Sequence, residues 1–296
     1  TIAEHAMLKS GDTEWLLALV DIHGAAEPAR YFMPLAMSFD DSEEDRSHAL
    51  AAVAVANVRQ QASTGVLADA MADEPFCRAL VAAMGAGREL KAEGGTLRFS
   101  PTNSFAKVVG DTPRGATALK RLTASSNSVS LLGDRLFLKA YRRLQNGIGP
   151  EIEMGRFLTD VVAFEHCVPV AGSVDFHVAD GAVYTLALLQ AQVENQGDAW
   201  TYTVDRLARL LESYDSTDDR KHEDTGPMVE RMQVLSHSIE VLHPARARPT
   251  GNPAFDPEPV RSDDLERWAA TVADECRQSL GLLSSHRKAW AEPLAG

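Results

Sequence analysis

Three cysteines in 296 residues are too few and too scattered to organise this chain. Cys77, Cys167 and Cys276 are odd in number and lack metal-ligand spacing. They read as reduced, mostly buried thiols, which fits a cytoplasmic protein better than a disulfide-built one. No stretch approaches the ~20 apolar residues of a membrane span. The opening residues, Thr1 to Asp12, hold no apolar segment of signal-peptide type. The first residue is not Met, so the sequence is expected to be processed, trimmed or an excerpt. Positive charge is also short: 29 Lys and Arg stand against 42 Asp and Glu, a formal net charge of −13. That argues against nucleic acid or an anionic membrane as partner, although a local cluster of donors can still hold an anion. Neither common glycine-rich phosphate loop, GxxxxGK(S/T) or GxGxxG, is present. What is present, 45% hydrophobic and 24% charged residues, suffices for one large or two or three small globular units.

The stretch from Ser125 to Trp200 carries most of the pattern. Arg135-Leu136-Phe137-Leu138 reads as a short apolar strand after a Gly133-Asp134 hairpin turn. A lysine at its end, Lys139, either snorkels to water or meets an acid or a phosphate. Glu153 lies 14 residues on, in the first turns of the next helix, where it could reach back to the strand; Glu151 competes for that role. Pro150 suits the first helical position, and Met154, Phe157 and Leu158 mark an apolar face. The plainer alternative is a surface lysine and a glutamate stabilised by the helix N-terminus. Before the lysine, Ser125, Ser126, Asn127, Ser128 and Ser130 offer hydroxyls, an amide and main-chain N–H groups suited to phosphate oxygens, or form an ordinary polar turn. After it, Val183–Leu189 runs into a polar connection through Gln190, Ala191, Gln192 and Val193. Loop, strand lysine, helix glutamate and hinge strand follow the order of a kinase small lobe. There the lysine pairs nucleotide phosphates and the glutamate holds the lysine.

Four collinear blocks sharpen this: SNSVSLLGD at 126–134, LFLKAYRR at 136–143, PEIEMGRFL at 150–158 and NQGDAW at 195–200. Together they resemble the small lobe of bacterial maltokinases, including those fused behind trehalose synthase, whose pattern is SNTSVVFGD, LILK-FRR, NPE-E-GRFL and NQGD-W. The resemblance implies an α+β fold: a protein-kinase-like (aminoglycoside-phosphotransferase-like) small lobe, an N-terminal α/β cap, and the first helices of an incomplete helical large lobe. It implies a full-length enzyme that transfers the γ-phosphoryl group of ATP, with Mg²⁺, to the anomeric hydroxyl of maltose, giving maltose 1-phosphate. Ser126, Asn127, Ser128 and Ser130 would cover the phosphates, Lys139 would position them, and Glu153 would orient Lys139. Gln190, Ala191 and Val193 would seat adenine through main-chain groups. Trehalose synthase is the implied protein partner, fused or bound. Two departures stand out: Val129 replaces a small hydroxyl residue, and Ala191 and Gln192 replace the acid and aromatic of QEFV.

The remainder is placed around that lobe. Residues 1–115 read as a separate α+β cap. It has strands at Glu14–Ile22, Arg30–Phe39 and Gly94–Ser100, a solvated acidic turn at Asp40–Asp45, and a helix from Asp73 or Glu74 to Met84. Ala49–Val58 is ambiguous between helix and strand. Family caps carry a preceding RWFA segment that is missing here, so the chain reads as cut at its start. Residues 116–193 are the nucleotide-binding lobe. Asp175-Phe176-His177 precedes the hinge, which argues against a metal motif; it belongs to a hairpin turning at Asp180-Gly181. Residues 194–296 are helical: Tyr202–Tyr214, then Met228–Leu242 with Met232, Leu235, Ile239 and Leu242 inward. An extended Pro244–Pro259 segment and a last helix from Ser262 or Asp263 to Leu283 follow. No His-Gly-Asp occurs; the only His-Gly pair, His23-Gly24, precedes Ala25. The catalytic base and metal ligands are therefore expected outside this sequence. The competing expectation is a non-catalytic nucleotide-binding or trehalose-synthase-docking module, or a degenerate kinase.

Overall fold

Alternation of apolar and polar residues builds a first antiparallel sheet. Its strands are β1 (Ile2–Ser10), β2 (Thr13–Ile22) and β3 (Ala29–Phe39), then, after helix α1 (Glu44–Ala51), β4 (Ala54–Gln60) and β5 (Ser63–Asp69). Their order is β1-β2-β3-β5-β4. The computed structural model describes residues 1–24, 28–39, 44–110, 119–122, 127–214 and 226–286. Ser125 and Ser126, positions 40–43 of the expected acidic turn, and the connection 215–225 lie outside these. The ambiguous Ala49–Val58 stretch divides: the helix ends at Ala51 and the strand starts at Ala54. β1 is an addition to the expected strands; of its residues only the alternate Ala6 and Leu8 are buried.

A 3₁₀ turn (Ala70–Ala72) leads into helix α2 (Glu74–Gly85), whose Phe76, Leu80, Val81 and Met84 are buried at helical spacing. β6 (Glu89–Ala92), β7 (Gly95–Pro101) and α3 (Phe105–Val109) follow. Next come β8 (Leu119–Leu122), β9 (Ser128–Leu132), β10 (Leu136–Ala140), the short β11 (Arg143–Leu144) and helix α4 (Pro150–Arg156), which runs into a π-helical turn at Phe157–Val161. β12 (Val170–Val178) and β13 (Val183–Ala191) complete a seven-stranded sheet of order β6-β7-β12-β13-β10-β9-β8.

That order corrects the expected separation of residues 1–115. β6 and β7 join this sheet through the pairing of β7 with β12, and β11 pairs onto β3, so both sheets draw strands from either side of the expected boundary. The reason is apolar: Leu132, Leu136, Leu138 and Ala140 of β9 and β10 share one buried cluster with Phe76, Leu80 and Met84 of α2. Burying a leucine such as Leu138 contributes roughly 2 kcal/mol, which unpacking the cap would forfeit. Arg142 fastens the same seam. Its guanidinium donates to Asp69 Oδ2 (2.5 Å) and Ser128 Oγ (2.8 Å), and its carbonyl accepts from the Phe32 N–H (2.9 Å).

The chain divides into two contact units, Thr1–Ala245 and Arg246–Gly296. In the first, α5 (Ala199–Tyr214) and α6 (Gly226–Arg246) follow β13. Met232, Leu235 and Ile239, expected inward, are exposed, and Leu242 is half-buried. α6 also runs through Pro244, so the extended segment begins later than expected. The second unit holds α7 (Ser262–His286), preceded by a turn in which Asp256 accepts from the Thr250 and Gly251 N–H groups. No helix among the described residues is long and apolar enough to cross a membrane. All three cysteines are free, but only Cys77 is buried; Cys167 is half-buried and Cys276 exposed. Burial pushes the Cys77 thiol up to about 12.

Candidate functional site

Strand register decides which side chains can meet. In antiparallel pairing, residues directly opposite share a face of the sheet. Lys139 sits opposite Val129 on one side and Leu188 on the other; Phe137 sits opposite Leu131 and Gln190. These six residues form one face. Ser130 is opposite Leu138, and Ser128 is opposite Ala140, on the other face. The expected roles of Ser128 and Ser130 beside the phosphates are thereby corrected. Ser130 is buried and donates to the Met71 carbonyl of the cap at 2.7 Å, while Ser128 accepts from Arg142. Their hydroxyls anchor the cap against the back of the sheet. Val129, which departs from the resembling family's pattern, is the residue that does share the lysine face.

Helix α4 packs on this lysine face through Ile152, which clusters with Val170 and Leu188. Gly155 permits the approach: a Cβ there would lie 2.3 Å from Val170 Cγ2. Pro150 occupies the start of the helix as expected. With Ile152 turned to the sheet, residues 151 and 153 project on opposite flanks, about 100° to either side. Only one can reach the lysine, and it is Glu151: Lys139 Nζ donates to Glu151 Oε2 at 2.6 Å. This corrects the role expected of Glu153, which is exposed. Tyr141 joins them, donating its hydroxyl to the same Glu151 oxygen at 2.7 Å. Lys139 Nζ stands 5.0 Å from the centre of the Tyr141 ring. Burial, reinforced by the bond to Glu151, pushes the Tyr141 phenol well above its ordinary value, so it stays a neutral donor. A cavity of about 330 Å³ adjoins this group, lined by Asn127, Tyr141, Arg143, Asn146, Gly149 and Thr185. Of the expected loop residues that are described, Asn127 alone faces it.

At the other end of the lysine face, Leu131, Phe137 and Gln190 are half-buried; Ala191, opposite Leu136, lies on the other face and packs against the cap-side cluster. The connection after β13 is held by its main chain: Ala191 N–H donates to Pro169 O (3.2 Å) and Gln192 N–H to Arg135 O (2.7 Å). Val193 is exposed, and its carbonyl accepts from the Gln192 and Asn195 side chains. Of the expected hinge, then, the N–H groups of Ala191 and Gln192 are engaged within the fold, and Val193 presents outward. Asp175 is buried on β12 and accepts from Ser173 Oγ (2.7 Å) and Thr185 Oγ1 (2.9 Å), a structural carboxylate tied into the hairpin. His166 makes an edge contact with Phe164, and Cys167 donates to the Phe164 carbonyl.

The site residues missed from sequence are Val129, Leu131, Phe137 and Tyr141. A strict period of two from Lys139 yields Phe137 on β10 and Tyr141 just past its end. Val129 and Leu131 needed the hairpin register, which Gly133 fixes by adopting a positive φ of 60° at the turn.

No protein-family model matches the sequence, and no curated protein matches it. Among solved structures, the chain is similar to a glucosamine kinase in complex with glucosamine, ADP and inorganic phosphate. The TM-score is 0.54 at 18% identity, over 100% of this chain and 58% of that one. A second crystal form of glucosamine kinase gives 0.53 at 17%, over 100% and 57%. The chain thus spans a little over half the length of these neighbours. At such identity the likeness is one of fold: this is a mixed α+β, kinase-like architecture.

Glu151→Gln is expected to raise labelling of Lys139 by an amine-reactive reagent about 3-fold or more, by removing a charge-assisted bond, and Glu153→Gln to leave it unchanged. Mass spectrometry of labelled peptides from both variants checks this.

Proposed function

We propose that this chain is the nucleotide-binding part of an ATP-dependent sugar kinase of maltokinase type. The observation that carries the reading is the Lys139–Glu151 ion pair on the sheet face turned away from the cap, in a kinase-like fold. Lys139, 20% exposed, is available to a phosphate while Glu151 keeps its ammonium over the face. Val129, Leu131 and Phe137 supply an apolar wall for adenine, and the exposed Val193 main chain supplies its polar contact. Asn127 borders the phosphate end. The seven-stranded sheet, β6 and β7 included, acts as the nucleotide lobe, β1–β5 with α1 and α2 as its cap, and residues 194–296 as the opening helices of a large lobe.

In the full-length protein the acceptor is maltose, which the sequence resemblance favours over glucosamine, the sugar held by the structural neighbour. Its anomeric oxygen bonds to the γ-phosphorus as the bond to the β,γ-bridging oxygen breaks, and a base takes the hydroxyl proton. The described residues include no group of three or more His, Cys, Asp or Glu placed for a metal, so no step is assigned to Mg²⁺ here. When bound with the nucleotide, that ion supplies further charge neutralisation. Free cysteines suit a cytoplasmic setting.

Exposed Met232, Leu235 and Ile239 on α6 favour a second reading, a docking module for trehalose synthase. Intact mass of the native protein, measured beside turnover with ATP and either maltose or glucosamine, tests both. Maltose 1-phosphate formation by a longer native chain supports the kinase. A 296-residue native chain without turnover, binding trehalose synthase equally with and without ATP, supports the docking module.

A further inference from the structure

We infer that Tyr141 is a positioning residue for the lysine–glutamate pair, an inference that rests on the nucleotide-binding reading above. Lys139 and Tyr141 are two apart on an extended chain, so both side chains leave the same face of the sheet. They converge on one atom, Glu151 Oε2, at 2.6 and 2.7 Å. The tyrosine is itself held on several sides. Its N–H donates to Leu186 O at 2.9 Å, carrying the β10–β13 ladder one residue past Ala140. Its ring packs on the cluster of Ile152, Val170 and Leu188.

This arrangement meets a need that the ion pair alone does not. Glu151 sits in the first turn of a seven-residue helix, and its side chain is 43% exposed. When Lys139 turns part of its hydrogen bonding toward a phosphate, the lysine's grip on the carboxylate weakens. A neutral phenol rooted in the core keeps hold of the same oxygen, so the carboxylate stays in place and the ammonium keeps its counter-charge. The ring adds a second restraint, since its centre lies 5.0 Å from the ammonium. Tyr141 need not touch the nucleotide; it acts through Glu151.

Tyr141→Phe removes the hydroxyl and leaves the ring and its packing. Two readouts are taken on the whole chain. One is the rate at which an amine-reactive reagent labels Lys139 in the free protein, followed by peptide mass spectrometry. The other is ATP affinity, measured for Tyr141→Phe, Glu151→Gln and the double variant. Tyr141→Phe is expected to raise Lys139 labelling about 3-fold or more and to weaken ATP binding about 5-fold, as for loss of a bond to a charged group. In the Glu151→Gln background both effects should vanish, a non-additivity that a merely structural role would not produce. Unchanged labelling in Tyr141→Phe, or an effect of equal size with and without Glu151, overturns the inference. If the unaltered chain fails to bind ATP, the nucleotide reading falls, and labelling still decides whether Tyr141 positions Lys139.

Discussion

Lys139→Ala is expected to weaken ATP binding by at least about 10-fold and to lower sugar phosphorylation in the full-length protein by about 10²–10³-fold, since catalysis of phosphoryl transfer is largely positioning and charge stabilisation. The reason is local. Among the described residues, Lys139 is the cation whose register on β9, β10 and β13 places it with Val129, Leu131, Phe137, Leu188 and Gln190. An alanine there removes the ammonium that the proposed nucleotide site offers to phosphate and leaves Glu151, a carboxylate, with Tyr141 still bonded to it. The effect should therefore exceed that of Glu151→Gln, which keeps the ammonium. Titration with ATP and steady-state turnover measure the two parts separately. Near-normal values in both would remove Lys139 from the nucleotide site.

The largest expected effect on stability lies in the cap. Asp73→Ala should destabilise the protein by about 3–5 kcal/mol, the range for breaking a buried ion pair. The Asp73 side chain has no exposed surface, and it accepts from Trp15 Nε1 at 2.6 Å and from Arg46 Nε and Nη2 at 2.8 Å each. Trp15 is itself buried and packs against Phe76 of α2 with ring centres 5.7 Å apart. Losing the carboxylate strips the indole N–H and the guanidinium of this acceptor at the junction of the first sheet, α1 and α2. The loss should reach the lysine-bearing sheet too, because the Met71 carbonyl, close by in sequence, holds Ser130 of β9. Urea denaturation quantifies the change; Asp73→Asn, which keeps an acceptor for Trp15, should recover part of it. A loss below about 1 kcal/mol for Asp73→Ala would show that the network is not the strut described.

The sequence made the order of parts legible because that order is written in local signals. Gly133-Asp134 at the hairpin, Pro150 at the helix start, Asp180-Gly181 at the second turn and the apolar strands between them are short-range features, and each falls where expected. The faces were not legible in the same way. Whether Ser130 points to phosphate or cap depends on its pairing with Leu138, and one step of register moves every side chain across the sheet. Whether Glu151 or Glu153 meets Lys139 depends on which side of the helix Ile152 anchors. The cap boundary was misplaced because β7 pairs with β12, roughly 75 residues away in sequence, and no local pattern records such a pairing. The inward assignment of Met232, Leu235 and Ile239 followed helical spacing correctly; spacing identifies a face, while its burial depends on what packs there.

The measurement that tests the central claim most directly is hydrogen–deuterium exchange of the chain with and without ADP. ADP is expected to slow exchange in peptides covering Asn127–Lys139 and Gln190–Glu194, with little change in β1–β5 or α7. Those segments are brought together only by the face that carries Lys139. Protection confined to the cap, to α6 or to α7 would contradict the account, as would none at all under saturating ADP.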